Sequence, residues 1–142
     1  IADLRHPAGA ANVPWMQALT SLIEEIKQES DLKFAIDWRI PEDRLTAREK
    51  VELLASIREA LLNIYKHAAA RHVRIEAKET EAGGWQCQVT DDGRGFDKND
   101  AYKDGHYGIK MMEDRAKRMN WQFAVDRQGR ETVVSIRKEV SP

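Results

Sequence analysis

Apolar positions in this chain recur with two periods, and those periods divide it into elements. Trp15, Leu19, Leu22, Ile23 and Ile26 return at three- and four-residue steps, which puts them on one stripe of an amphipathic helix from Pro14 to about Ser30. The period then falls to two. Phe34, Ile36, Trp38 and Ile40 alternate with charged or small neighbours, predicting a strand over 33–40 with one buried face, ended by Pro41. Thr46 followed three residues later by Glu49 has the form of a capping box, and the helical pattern it opens continues to about Ala70. Val73, Ile75 and Ala77 mark a strand over 72–78, and Gly83-Gly84 offers the positive backbone angles of a tight turn into a strand over 85–90. A third helix is predicted over 107–119, with Ile109, Met112 and Ala116 on one side. A last hairpin, 121–125 and 132–136, turns around Gly129.

The order is helix, strand, helix, two strands, loop, helix, two strands, so most strands join through hairpins and the helices suffice to cover one face. That implies an α+β fold, a two-layer α/β sandwich with a mixed, mostly antiparallel five-stranded sheet under three helices, and not a doubly wound one. Residues 1–13, alanine-rich with Pro7 and Gly9, read as a linker, leaving 14–142 as one domain, all that 142 residues comfortably hold. Residues 91–105 are rich in Gly, Asp and Asn without apolar period, and a long loop inside a compact domain is usually functional or disordered.

Charge narrows the partners. With 23 basic and 24 acidic side chains and a net charge of -1, there is no overall field to draw nucleic acid or an anionic membrane. The one cysteine, Cys87, cannot make an internal disulfide, which suits a reducing compartment, and its place on a central strand marks it as core. Met111, Met112 and Met119 read as packing residues. No stretch approaches the roughly 20 apolar residues that span a bilayer, and no basic-then-apolar signal precedes the fold. A chain beginning at Ile1 is expected to be part of a longer protein, with any membrane segment of the parent upstream.

Three patches carry candidate chemistry. On the long helix, at about 100° per residue, Leu54, Ile57, Leu61, Ile64 and Ala68 share one side while Glu59, Asn63 and Lys66 cluster nearly opposite. This second face is either a solvated stripe or a set of hard oxygen donors with a neighbouring cation, suited to magnesium and phosphate. Asp91-Asp92-Gly93-Arg94-Gly95-Phe96 directly follows a strand. It is either a plain turn or a ligand wall, its glycines allowing close backbone approach and its aspartate accepting from an exocyclic amine. Gly105-His106-Tyr107-Gly108-Ile109 enters a helix, where free N–H groups favour anions. No Gly-Lys-Ser or Gly-Lys-Thr follows it, so it is not a Walker loop, and no metalloprotease helix or paired-cysteine zinc site occurs.

Taken in order, REALLNIYKHA (58–68), DDGRGF (91–96), GHYGIKMMEDRA (105–116) and GRETVVSI (129–136) resemble the N-box, the two glycine boxes and the last strand of the histidine-kinase catalytic domain. That domain belongs to the superfamily shared with gyrase, Hsp90 and MutL, and the wording is similar to the subfamily of nitrate/nitrite sensors. The resemblance spans about 14–139. It implies the Bergerat ATP-binding fold, with ATP and Mg2+ as ligands. Asp91 would accept the adenine amine, Gly93 and Gly95 shape the pocket and hinge a lid, and Gly105, Tyr107, Gly108 and Ile109 border the nucleotide. Asn63 would ligate magnesium, Glu59 would position that metal or its water, Lys66 and His67 would face phosphate, and Thr132 would lie near the pocket floor. The sequence departs from the subfamily at Asp114 (usually Glu), at Ile109 (usually Leu), and in Gly129-Arg130-Glu131-Thr132, which replaces a tighter glycine pair.

The activity implied is transfer of the ATP γ-phosphoryl to a histidine on a separate dimerisation domain, with a response regulator as an indirect partner. Neither His6 nor His72 matches the phospho-acceptor. The resemblance also implies a cytoplasmic domain whose parent is anchored in the bacterial inner membrane, without membrane contact by the domain itself. Two other outcomes stay open here: an ATP-hydrolysing member using Glu59 to activate water, and a partner-docking module that binds no nucleotide.

Overall fold

The computed structural model describes residues 15–94 and 107–140, and Tyr107 by its backbone only. The expected linker 1–13, Pro14, Gly95, Gly105 and the stretch 97–104 lie outside the described residues. Helix α1 spans Trp15–Gln28, strand β1 Lys33–Trp38, helix α2 Ala47–Asn63, β2 His72–Glu79, β3 Trp85–Asp91, α3 Tyr107–Met119, β4 Gln122–Gln128 and β5 Glu131–Lys138. A short 3-10 turn, Glu42–Arg44, and a π turn, Ile64–Ala68, complete them.

The strands form one sheet in the order β1-β2-β3-β5-β4. β1 lies parallel to β2 and the other pairs are antiparallel, so the sheet is mixed and mostly antiparallel, with Cys87 on its central strand. Alternation sorts the side chains. Val73, Ile75, Ala77, Trp85, Cys87, Val89, Val134 and Ile136 point to the helix side and are buried against Leu19, Ile23, Leu53, Ile57, Leu61 and Met112 in one core. Burial pushes the Cys87 thiol up to about 12, leaving it unreactive at neutral pH.

The capping box that opens α2 forms: the Glu49 N–H donates to Thr46 Oγ1 (3.1 Å) and the Thr46 N–H to Glu49 Oε1 (2.9 Å). Glu49 also holds Lys138 Nζ at 2.8 Å, tying the helix start to the end of β5.

Four expectations need correction. The buried stripe of α2 runs through Leu53, Ile57, Ala60 and Leu61, with Leu54 only half-buried. Ile36 is 38% exposed and Phe34 and Trp38 are half-buried, because β1 is an edge strand whose inward face is only partly covered. Met111 is exposed while Met112 is core. Of the glycine pair, only Gly83 has positive φ (+87°). A Cβ on Gly84 would lie 1.9 Å from the Lys138 carbonyl oxygen, so its glycine serves close strand approach.

Candidate functional site

The long helix does not continue regularly to Ala70. After Asn63 it opens into the π turn and stops at Ala69, which takes the left-handed conformation (φ 52°). The freed carbonyls have partners elsewhere: the Arg94 N–H donates to Ala68 O at 2.8 Å and Arg94 Nε to His67 O at 3.1 Å. π turns concentrate at functional sites, and this one brings the helix end onto the loop leaving β3. Gly93 is where they touch. A Cβ there would sit 2.2 Å from the Ala68 carbonyl oxygen, so close approach, more than turn geometry, requires glycine.

The loop is pinned from the other side as well. Asp92 Oδ1 accepts from the N–H groups of Arg71 (2.8 Å) and His72 (2.9 Å), and Oδ2 lies 2.7 Å from His72 Nδ1. These donors hold the Asp92 carboxyl down at about 2, against the opposing effect of desolvation. Asp91, one residue earlier, turns inward and is 4% exposed. Its Oδ1 accepts from the Gly93 N–H at 2.9 Å. Burial raises its pKa, partly countered by that bond and by the Arg127 guanidinium.

Sheet register puts Val73, Asp91, Thr132 and Arg127 in one cross-strand row on the helix side. Thr132, 4% exposed, sits in the turn-altered segment noted above, yet its side chain lies beside Asp91. Asn63, Asp91, Ile109 and Thr132, together with Ala60, Ile64, Ala68 and Val134, line a single narrow cavity of about 10 Å³. Gly108 closes against Asn63, where an added Cβ would come within 2.9 Å of both Nδ2 and Oδ1. Helix α3 is held along α2 by Arg115 Nε on Glu52 Oε2 at 2.9 Å, with both side chains largely buried.

The predicted residues therefore divide. Asn63, Asp91, Ile109, Thr132 and, by contact, Gly93 and Gly108 come together around one space. Glu59 stands one turn before Asn63, half-buried with Arg58 Nη1 at 3.7 Å, and outside the cavity lining. Lys66 and Tyr65 are exposed on the π turn, whose wider winding breaks the angular relation to Asn63 that 100° per residue assumes. His67 is half-buried beside them. Arg127 was missed by sequence reasoning. A lone arginine on a closing hairpin carries no local signal, and only register brings it to Thr132.

Larger size does not mark the site. A groove of about 300 Å³ on the opposite face of the sheet is lined by Asp37, Arg39, Glu76, Ala77, Lys78, Gln86 and Gln88. Its lining residues are charged or amide-bearing except for Ala77, and Asp37 and Arg39 are paired with each other at 2.9 Å, so few side chains there could flank a ring.

Comparison with known proteins bears on the family and the fold. Residues 49–142 match the family described as histidine kinase-, DNA gyrase B- and HSP90-like ATPase. The nitrate/nitrite sensor protein NarQ of Escherichia coli strain K12 is 32% identical over 120 residues, covering 84% of this chain and 21% of NarQ. The nitrate/nitrite sensor protein NarX of the same strain is 30% identical over 122 residues, 84% of this chain and 20% of NarX. The chain thus spans about a fifth of these relatives. Among solved structures, the Erythrobacter litoralis EL346 blue-light activated histidine kinase superposes with a TM-score of 0.74 at 18% identity, covering 96% of this chain and 45% of that one.

Proposed function

The chain belongs to the histidine kinase-, DNA gyrase B- and HSP90-like ATPase family, and from that premise we propose that it is the catalytic domain of a sensor histidine kinase of the NarQ and NarX kind. It binds ATP and passes the γ-phosphoryl to a histidine on the parent's dimerisation domain, which in turn serves a response regulator. The observation that carries this reading is the shared cavity: a buried carboxylate (Asp91), a hydroxyl (Thr132) and an amide (Asn63) converge from separate elements between the apolar walls of Ile64, Ile109 and Val134.

Each group has a role that its chemistry suits. Ionised Asp91 only accepts hydrogen bonds, so it selects a base edge presenting an amine. Ile64, Ile109 and Val134 flank the flat ring. Asn63 offers an amide oxygen at the mouth of the cavity, with Glu59 a turn away as a second hard oxygen to orient a metal or its water. Among the described residues no cluster of three His, Cys, Asp or Glu side chains is available to a metal. A magnesium ion here would draw most of its ligands from phosphates and water, as that ion commonly does, and would neutralise charge developing on the transferred group. Lys66 and His67 would supply positive or donor groups toward the phosphates and Gly108 would border them; Gly105 and the Tyr107 side chain, given the same role by the resemblance, lie outside the described residues. The protein's own contribution is positioning. Among the described residues no helix is long and apolar enough to cross a membrane. We assign the domain to the cytoplasmic side of a parent anchored in the inner membrane.

The test is to supply a histidine-bearing dimerisation domain of this subfamily with γ-labelled ATP. Acid-labile phosphohistidine that appears only with the chain present supports transfer. Steady phosphate release without labelled histidine would instead assign water activation to Glu59, and absence of nucleotide binding would leave a docking module.

A further inference from the structure

Beside the cavity, in contact with its lining residue Thr132, stands an exposed residue that the family resemblance does not supply. Arg127 projects from edge strand β4 to the helix side, at the end of the row Val73, Asp91, Thr132, Arg127. Its Nη1 donates to Gly93 O at 2.7 Å and to Thr132 Oγ1 at 2.9 Å. Gly93 is thereby held at both ends, its N–H on Asp91 Oδ1 at 2.9 Å and its carbonyl on Arg127. Thr132, having accepted from Arg127, keeps its O–H to donate into the cavity it lines. A closed circuit results, running from Asp91 through Gly93, Arg127 and Thr132 and back across the β3–β5 ladder.

We propose that Arg127 is a positioning residue for base selection: by gripping the Gly93 carbonyl and the Thr132 hydroxyl it fixes the Asp91 carboxylate and makes the site prefer an amino-purine over an oxo-purine. The proposal rests on the reading of this cavity as a nucleotide-base site. Charge acts here alongside packing. An ionised Asp91 accepts from the 6-amino group of adenine and repels the 6-oxo group of hypoxanthine, whereas a protonated Asp91 can donate to that oxygen. Among the described residues the charges facing Asp91 are Arg127 from β4, which favours ionisation, and Asp92, just after β3, and Glu131 of β5, which oppose it. Glu131 is itself shared with Arg74 of β2 at 3.4 Å. The helices contribute Asn63, Ile64 and Ile109 to the lining, all uncharged. Removing Arg127 leaves, among the described residues, two acidic neighbours and no cation acting on Asp91, so Asp91 protonates at higher pH.

The experiment titrates the whole chain, as wild type, R127Q and R127K, with non-hydrolysable analogues of ATP and of inosine triphosphate over a series from mildly acidic to neutral pH. For R127Q the expected result is binding of the ATP analogue weakened roughly 10-fold, a reduced adenine preference, and an acid limb of affinity moved to higher pH. R127K, retaining charge and donors, restores the limb. Preference and pH limb are compared within each protein, so a changed folded fraction cancels. R127Q with the wild-type preference and limb overturns the proposal while leaving the nucleotide site intact. A wild-type chain that binds neither analogue overturns the underlying reading with it.

Discussion

At the sheet end of the cavity Asp91, Gly93, Thr132 and Arg127 are joined by hydrogen bonds of 2.7 to 2.9 Å, whereas at the helix end Asn63 and Gly108 meet by contact alone. The sheet end is organised before any ligand arrives, since strand register and the staples from Asp92 and Arg94 already fix it. The helix end takes its geometry from a missing Cβ and from the Arg115–Glu52 pair farther along the same two helices. Rigid donors and acceptors suit reading of a flat base. A side-chain amide with room to move suits a ligand set completed by metal and phosphate.

The most damaging way to break that contrast is Gly93→Ala. The new methyl would press on the Ala68 carbonyl at 2.2 Å, and because backbone must move, about 3 kcal/mol of stability should be lost in a urea unfolding titration, with nucleotide binding lost too. Asp91→Ala should follow, weakening an ATP analogue by about 5- to 150-fold in calorimetry, since the amine of the buried base loses its acceptor at about 1 to 3 kcal/mol.

The same carboxylate sets a pH dependence. Its folded pKa is raised above the unfolded value, so burying it ionised costs stability at neutral pH, and that cost fades as pH falls through the folded value. Affinity for the ATP analogue should fall in the same window in which this unfavourable contribution to the free domain disappears. Affinity that stays level there would argue against ionised Asp91 as the acceptor.

Gly108→Ala should behave oppositely to Gly93→Ala, which sharpens the comparison. The obstructing atoms are the far end of a flexible side chain, and helix propensity gains up to about 1 kcal/mol, so the melting temperature should barely move. The magnesium-dependent part of nucleotide affinity should nonetheless drop about 10-fold, because Asn63 must turn away. The smallest effect is expected at Asp92, on the surface. Asp92→Asn should cost about 1 kcal/mol near neutrality. With a folded pKa near 2, below the ordinary 3.8, the wild-type advantage is full above the ordinary value and closes as pH falls through about 2.

Most of the fold was legible because each element satisfies its local pattern. The capping box at Thr46 and Glu49, the alternation of Val73, Ile75 and Ala77, and Cys87 at the sheet centre follow from neighbours in sequence. What was not legible depends on distant partners. Leu61, Ile64 and Ala68 fit an α-helix, and it is Arg94, from the loop after β3, that takes up the Ala68 and His67 carbonyls where the helix has widened. The parallel pairing of β1 with β2 has no turn to announce it. At the site, Asp91 and Asn63 were visible through their motifs. Glycine at position 93 was visible too, but its reason, a carbonyl packed against its Cα, was not. Arg127 belongs to no motif, and the cross-strand row that gives it meaning exists only once β4 and β5 are in register.

The proposed function requires that one cavity join a base reader to a metal and phosphate holder. It is tested most directly by calorimetric titration of the ATP analogue, with and without magnesium, into wild type, Asp91→Ala and Asn63→Ala. Asp91→Ala should weaken binding under both conditions, while Asn63→Ala should remove only the increment that magnesium adds. Equal losses with and without magnesium in Asn63→Ala, or undiminished binding in Asp91→Ala, would contradict it.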